Sequence, residues 1–425
     1  MCGLIGFNQN GCNSASIAFD MCKVINHRGP SSEGVWIETY NPVVLGHVRL
    51  SILELSEAGN QPMISECGRY VLVLNGEIYN HQSLRKQLAE SGLVINWRGH
   101  SDTETLLACF VAWGIEKTLQ ATIGMFAIAV WDKQEQVLTL ARDRMGEKPL
   151  YWGWSNDLLI FASELKSIKA HPEFEAVIDR DALTLLLRHC YIPAPYSIYK
   201  GIQKLMPGHV LKIPLQGDLS QSKAAASKPY WSLNKVVEQG LANPFIGSPE
   251  AAVDALEEQL KKSVADQMLA DVPLGAFLSG GVDSSTIVAL MQAQSDTPIS
   301  TFTLGSNESA SNESEHAKAV AKHLGTEHRE IIIEGKDALN VISLLPNMYC
   351  EPFADSSQIP TFLVNQLAKQ HVSVALSGDA GDELFGGYNR YVAAQKVWGP
   401  VHKMPSFVRH LAAGGLRSLS PNSWD

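Results

Sequence analysis

The apolar residues of this chain change rhythm near its middle, and one fold class cannot accommodate both rhythms. Before residue 216, short β-branched or aliphatic runs at 2–7, 43–53, 70–74, 125–131, 137–141 and 158–162 follow one another between Gly, Asn, Asp and Pro. That is the pattern of strands joined by turns. Helical spacing falls between them at 82–91 and 102–113. After residue 250, strand-like runs at 272–278, 299–304, 328–333 and 372–376 alternate with helical ones at 284–294, 315–324 and 358–369. Runs of strands with helices set apart predict α+β layers, whereas alternation predicts a parallel, doubly wound α/β sheet. Between the two, the stretch from Gln216 to Lys228 is polar and Ala/Ser-rich and reads as a solvated linker. A polar helix is expected over 249–267. The predicted division is therefore 2–215, a linker region 216–250, and 251–425, with no internal repeat. Towards residue 425 no further strand or helix is evident to finish the second half.

Of 425 residues, 45% are hydrophobic and 18% charged, enough apolar mass for more than one core. The net charge of −10 comes without a basic cluster, which argues against nucleic acid or an anionic membrane as a partner. The seven cysteines are irregularly spaced and include no C-x-x-C pair, so neither zinc nor a disulfide framework is indicated. No leader-like N-terminus and no apolar run of membrane-spanning length is visible. These features predict a reduced, cytoplasmic enzyme.

The second residue is Cys2. Once Met1 is removed, its thiol and a free α-amino group share one carbon, giving a nucleophile and a base of suitable pKa. Four segments of the first half stand with it: Asn26-His27-Arg28-Gly29-Pro30; Gly46-His47-Val48-Arg49-Leu50-Ser51-Ile52 running on to Gly59-Asn60-Gln61-Pro62; Leu74-Asn75-Gly76-Glu77-Ile78-Tyr79-Asn80; and His100-Ser101-Asp102-Thr103-Glu104. Taken singly they have plainer readings, such as an Asn-Gly turn or an Asp at a helix start. In this order behind Cys2 they resemble the class II glutamine amidotransferase domain, over roughly 2–215. The resemblance implies an N-terminal-nucleophile hydrolase, a sandwich of antiparallel sheets between helices. A tetrahedral oxyanion needs fixed donors, and the resemblance gives that role to Asn75, expected to end its strand, and Gly76. A planar guanidinium suits a carboxylate and a carboxylate suits an ammonium. Arg49 and Asp102 take the family's positions for the α-carboxylate and α-amino group of glutamine, with Leu50 and Glu77 beside them. His27, His47 and His81 are expected to be structural, because the α-amino group already serves as base. Segments 142–146, 148–151 and 161–164 also match the family and read as strand-end and turn architecture, lining a path between the sites.

In the second half, Leu278-Ser279-Gly280-Gly281-Val282-Asp283-Ser284-Ser285 lies between a predicted strand and a predicted helix, where backbone amides can cradle an anion. It lacks the Lys and spacing of a Walker A loop and resembles the pyrophosphate loop of ATP pyrophosphatases. Leu376-Ser377-Gly378-Asp379-Ala380-Gly381-Asp382-Glu383 follows another predicted strand and should reach the same carboxyl edge. Mg²⁺ takes few carboxylates plus phosphate oxygens, and Asp283 and Asp382 are the expected ligands. With both halves joined, the chain resembles the glutamine-hydrolysing asparagine synthetase family. That implies glutamine, aspartate and ATP as substrates. Leu278, Ser279, Gly280, Gly281, Asp283, Ser284, Thr303, Leu304, Ser377 and Gly378 would hold the nucleotide, and Asp379 would lie near the activated carboxylate as a catalytic residue. Homodimers are usual in that family, although no interface is legible here.

Two departures stand out. Asp379 replaces a Glu of the best-known members, and segment 351–361 looks more like a bacterial branch that includes homologues in surface-polysaccharide clusters. The acceptor could then be a sugar carboxylate. The Lys-x-Asp-Arg motif that follows Tyr388 in the family is absent, so the C-terminal part is expected to be missing. Three readings stay open: asparagine synthesis, amidation of another carboxylic acid, and a glutaminase-only or regulatory protein.

Overall fold

The computed structural model describes residues 2–9, 13–39, 42–217, 219–306, 313–418 and 420. Two six-stranded sheets fill the first half. The first has the order Ile202–Lys204, Tyr151–Ser155, Leu158–Ala162, Gly3–Phe7, Val44–Arg49, Ser32–Ile37. The second has the order Lys228–Pro229, His209–Pro214, Val137–Arg142, Gly124–Asp132, Tyr70–Ile78, Met63–Ile64. Every adjacent pair in both is antiparallel.

Strand alternation sorts the side chains into layers. Leu4, Leu45, Val71, Val73, Ala129, Trp131 and Phe161 meet between the sheets. Ile5, Phe7, Val44 and Val48, one residue out of phase, pack outward beneath helices Ser14–Lys23 and Leu165–Ala170. Leu72, Leu74, Phe126 and Ile128 do the same beneath His81–Glu90 and Asp102–Trp113. The α+β sandwich expected of the first half is thus a four-layer helix–sheet–sheet–helix stack.

In the second half four parallel strands stand in the order Glu327–Ile333, Ser300–Ser306, Leu274–Phe277, Val374–Leu376. Helices cover both faces. Val264, Val288, Met291, Ala317 and Ala321 pack with Ala276 and Leu278 on one side, and Ala368 and Val372 pack with Phe302 on the other. This is the doubly wound sheet that the alternation predicts.

Several local expectations are corrected. The strand read over 70–74 runs to Ile78, so Asn75 does not end it; Asn75 pairs with Ala127 and Gly76 with Phe126 inside the ladder. Part of the linker-like stretch is ordered: Leu219–Lys223 is a short helix, Lys228–Pro229 pairs with the second sheet, and Leu233–Ala242 is helical. Helices Asn389–Lys403 and Ser406–Arg417 occupy a region with no legible element. Pro400, Gly399, Gly414 and Gly415 within them obscure the helical signal. Among the described residues no helix is long and apolar enough to cross a membrane.

Trp131 is fully buried between the sheets, where its indole N–H donates to Glu38 Oε2 at 3.1 Å. Trp131→Ala should therefore lower stability by about 3–5 kcal/mol, read as a shifted denaturant midpoint with little change in slope.

Candidate functional site

Sheet packing brings the start of the Gly3–Phe7 strand to the far end of Tyr70–Ile78. Ser163 Oγ accepts the Leu4 N–H at 3.0 Å and lies 3.4 Å from Asn75 Nδ2, while His47 Nε2 meets Leu74 O at 2.9 Å. A pocket opens there, and Cys2, Arg49, Leu50, Asn75, Gly76, Glu77 and Asp102 all line it. Every residue that the sequence assigns to the first site is therefore in one place.

Cys2 is half-buried. Its Sγ accepts the Leu50 N–H at 3.4 Å, and its own carbonyl accepts Arg28 Nε–H at 2.9 Å. Burial pushes the thiol above its ordinary range. Arg49 is buried and pinned: Nη1 donates to Ser56 O at 2.9 Å and Asn60 Oδ1 at 3.0 Å, and Nη2 to the carbonyls of Leu53 and Glu54. Among the described residues no carboxylate forms an ion pair with it. Gly59 leaves room for the guanidinium, because a Cβ there would lie 2.0 Å from Nη2 and would displace it.

Asn75 is completely buried, and its Oδ1 has no partner. Ser163 already accepts from Leu4, so its hydroxyl hydrogen needs an acceptor. Turning the Asn75 amide over supplies one and frees the NH₂ to donate to an oxyanion. Gly76 is fixed by close approach, since a Cβ would meet Met125 O at 2.0 Å.

Two carboxylates face this cationic, donor-rich floor. Asp102 accepts the amides of Ile78 at 2.8 Å and Thr103 at 2.7 Å, and burial raises its pKa. Glu77 has one oxygen with no partner, and burial, then the nearby Asp102 charge, push it up to about 7. Lys148, in the loop between strands Val137–Arg142 and Tyr151–Ser155, lines the same pocket. Its neighbour Asp143 is architectural, accepting the amides of Phe126, Met145, Glu147 and Lys148. Of the three histidines, His47 is buried, with its pKa lowered to about 4 by that burial. His81 contacts Ile78 O at 3.1 Å, and His27 contacts Glu164 at 3.0 Å.

The second set gathers at the carboxyl edge of the parallel sheet. Leu274–Phe277 and Val374–Leu376 are neighbours, so their following turns abut. A Cβ on Gly378 would strike Ser284 N at 2.7 Å, and one on Gly381 would lie 2.5 Å from Asp283 Cγ. Ser279 Oγ meets Ser284 Oγ at 2.9 Å and accepts the Gly281 N–H at 3.3 Å. The helix Val282–Gln292 begins at Gly281 with no side-chain cap, leaving its first amides to an anion. Ser377 donates to Asp379 Oδ2 at 3.0 Å, Asp382 sits one residue beyond Gly381, and Thr303 and Leu304 lie on the adjacent strand. The small-residue cradle fits a nucleotide's phosphates. Asp283 lies against Gly381, one residue before Asp382, and among the described residues no group of three or more His, Cys, Asp or Glu side chains is placed to hold a metal ion.

The family profile described as Glutamine amidotransferase domain matches residues 1–231, and that described as Asparagine synthase matches 255–424. A Methanocaldococcus jannaschii protein provisionally named asparagine synthetase [glutamine-hydrolyzing] 2 is 34% identical, over 96% of this chain and 79% of its own length. Asparagine synthetase [glutamine-hydrolyzing] 1 of Bacillus subtilis is also 34% identical, over 99% of this chain and 65% of its own length. Amidase chry2 of Gibberella zeae is 29% identical over 91% of this chain and 57% of its own length. The chain thus spans between about half and four fifths of these relatives. A solved glutamine phosphoribosylpyrophosphate amidotransferase from B. subtilis aligns at a TM-score of 0.40 and 16% identity, over 80% of this chain and 70% of that one.

A carboxyl whose folded pKa lies near 7 destabilises the fold as pH rises from the ordinary carboxyl range through that value, because the folded state must then hold the charge in a buried place. Glu77→Gln should raise the melting temperature at about pH 8 and leave it unchanged at about pH 5, by calorimetry at both.

Proposed function

This chain belongs to the glutamine-hydrolysing asparagine synthetase family, and from that premise we propose that it moves the amide nitrogen of glutamine onto an adenylated carboxylate. The observation that carries this reading is the convergence of Cys2, Arg49, Asn75, Gly76, Glu77 and Asp102 on one pocket. Arg49, pinned by carbonyls and free of carboxylate pairing among the described residues, suits the α-carboxylate of glutamine. Asp102 and Glu77 suit its α-ammonium, which would draw the Glu77 pKa down from about 7.

After Met1 is removed, the α-amino group of Cys2 takes the thiol proton. The thiolate attacks the amide carbon, and the oxyanion is held by Asn75 Nδ2–H and the Gly76 amide. Collapse breaks the C–N bond as the Cys2 α-ammonium passes its proton to the leaving nitrogen, releasing ammonia and a glutamyl thioester that water hydrolyses to glutamate. The free α-amine matters here, because a buried thiol with a raised pKa is a poor nucleophile by itself.

In the second half, the Gly280 amide and the uncapped first amides of helix Val282–Gln292 receive the phosphates of ATP, with Leu278, Ser279, Gly281, Ser284, Thr303, Leu304, Ser377 and Gly378 around the nucleotide. Mg²⁺ held by Asp283 and Asp382 would offset phosphate charge. The acceptor carboxylate displaces pyrophosphate, and ammonia then displaces AMP, with Asp379 beside the reacting carboxylate. Aspartate is our proposed acceptor, in a cytoplasmic setting. The Asp at 379 and the segment 351–361 support a sugar carboxylate as the second reading.

The deciding test is mass spectrometry after incubation with Mg-ATP, amide-¹⁵N glutamine and aspartate. Labelled asparagine with stoichiometric AMP is expected, and both should vanish in Cys2→Ala. AMP and labelled amide appearing only with a uronic acid would move the assignment to the second reading. Labelled ammonia without AMP under every acceptor would exclude synthesis by this chain. A second prediction concerns the N-terminus: retaining Met1 should abolish glutamine use while ammonia-dependent amidation persists, as measured with ammonium chloride as donor.

A further inference from the structure

The pocket around Cys2 leans on a residue of the other half. The Arg49 guanidinium is held by carbonyls of Leu53, Glu54 and Ser56, so its place depends on the loop that carries them. That loop is held in an unusual shape: Glu54, not a glycine, has φ of +60°, a conformation that persists only when surroundings enforce it. The enforcing contacts are specific. Glu54 Oε1 accepts the Ser56 amide at 3.1 Å and hydroxyl at 2.5 Å, and Oε2 accepts the His100 amide at 3.0 Å and faces His100 Nδ1 at 3.0 Å. Gly99 leaves room for this, since a Cβ there would lie 2.2 Å from Glu54 Oε2.

The remaining contacts come from Asp271. Its Oδ2 accepts the Glu54 N–H at 2.7 Å and meets His100 Nε2 at 2.5 Å, while its own N–H donates to Ile52 O at 2.9 Å. His100 thus sits between two carboxylates from opposite halves. Both stay charged near neutrality: Glu54 is held at about 2, chiefly by the Ser56 hydroxyl, and the His100 ring holds Asp271 below its usual range. Asp271 lies in the short connection between helix Pro249–Gln267 and strand Leu274–Phe277, which feeds the Ser279–Ser284 turn.

We infer that Asp271 is a positioning residue supplied by the second half to the glutamine pocket of the first, acting through His100 and Glu54 on the loop that aims Arg49. Docking of the second half is then a condition for tight glutamine binding, although Asp271 touches no substrate. The inference rests on the glutaminase reading of the Cys2 pocket.

The test is steady-state glutaminase kinetics on the full chain, with thermal melting alongside. Asp271→Ala should raise KM for glutamine about tenfold, with kcat within about twofold and folding retained. Asp271→Asn, which keeps the volume, should move KM the same way by less. Combining Asp271→Ala with His100→Ala should raise KM little beyond the larger single effect, because the two act as one clasp. A merely structural role would instead lower kcat through loss of active protein and leave KM alone. An unchanged KM in Asp271→Ala and Asp271→Asn overturns the inference while leaving the glutaminase reading intact. Absence of Cys2-dependent glutamine hydrolysis in the wild type overturns that reading, and this inference with it.

Discussion

Face-to-face packing of two antiparallel sheets is the constraint on which the rest of the first half depends. The interior between them is apolar, with Trp131, Phe161 and a set of leucines and valines close-packed. Polar groups cannot sit there unpaired. Those that cross between the sheets are paired: Trp131 donates to Glu38, and at the Asn75 end Ser163 joins Leu4 to Asn75 and His47 meets Leu74 O. That end is where Cys2 emerges from its strand. The pocket is the place at which the sandwich stops being dry.

The second half obeys a different rule. A parallel sheet buries both faces and sends all its outgoing turns to one edge. Neighbouring strands Leu274–Phe277 and Val374–Leu376 therefore bring the Ser279–Ser284 turn against Gly378 and Gly381, although the two turns are far apart in sequence. The halves also meet away from the Asp271 contact. Glu351 accepts the Ile198 amide at 2.8 Å and pairs with Lys204 at 2.5 Å, and Leu165 N–H reaches Cys350 Sγ at 3.1 Å. Arg28 contacts both the Cys2 carbonyl and Glu164, beside this seam.

The chemistry was more legible than the geometry. Cys2, Arg49, Asn75-Gly76 and Asp102 stand out because catalysis needs particular residue types, and those types are few. The Asn-Gly pair misled on local structure: it is a common turn signal, yet here the ladder continues through it, Asn75 pairing with Ala127 and Gly76 with Phe126. The segment holding Lys148 was legible as family architecture, but its place in the Cys2 pocket was not, because a loop of eight residues separates the flanking strands Val137–Arg142 and Tyr151–Ser155. The clasp of Glu54, His100 and Asp271 was equally hidden. Its members are separated by as many as 217 positions, and each alone looks like an ordinary polar loop residue.

By itself, the sequence determined the two rhythms, and with them α+β layers followed by a parallel sheet, because apolar periodicity is a local property of the chain; the antiparallel sandwich was implied by the family resemblance that Cys2 and its companion motifs carry. It also determined which residues could do chemistry. Only the tertiary structure decided which of them share a pocket, which carboxylates are buried enough to shift, and which residue of one half steadies the other. Those outcomes depend on contacts between distant segments, and burial and electrostatics exist only once such contacts have excluded water.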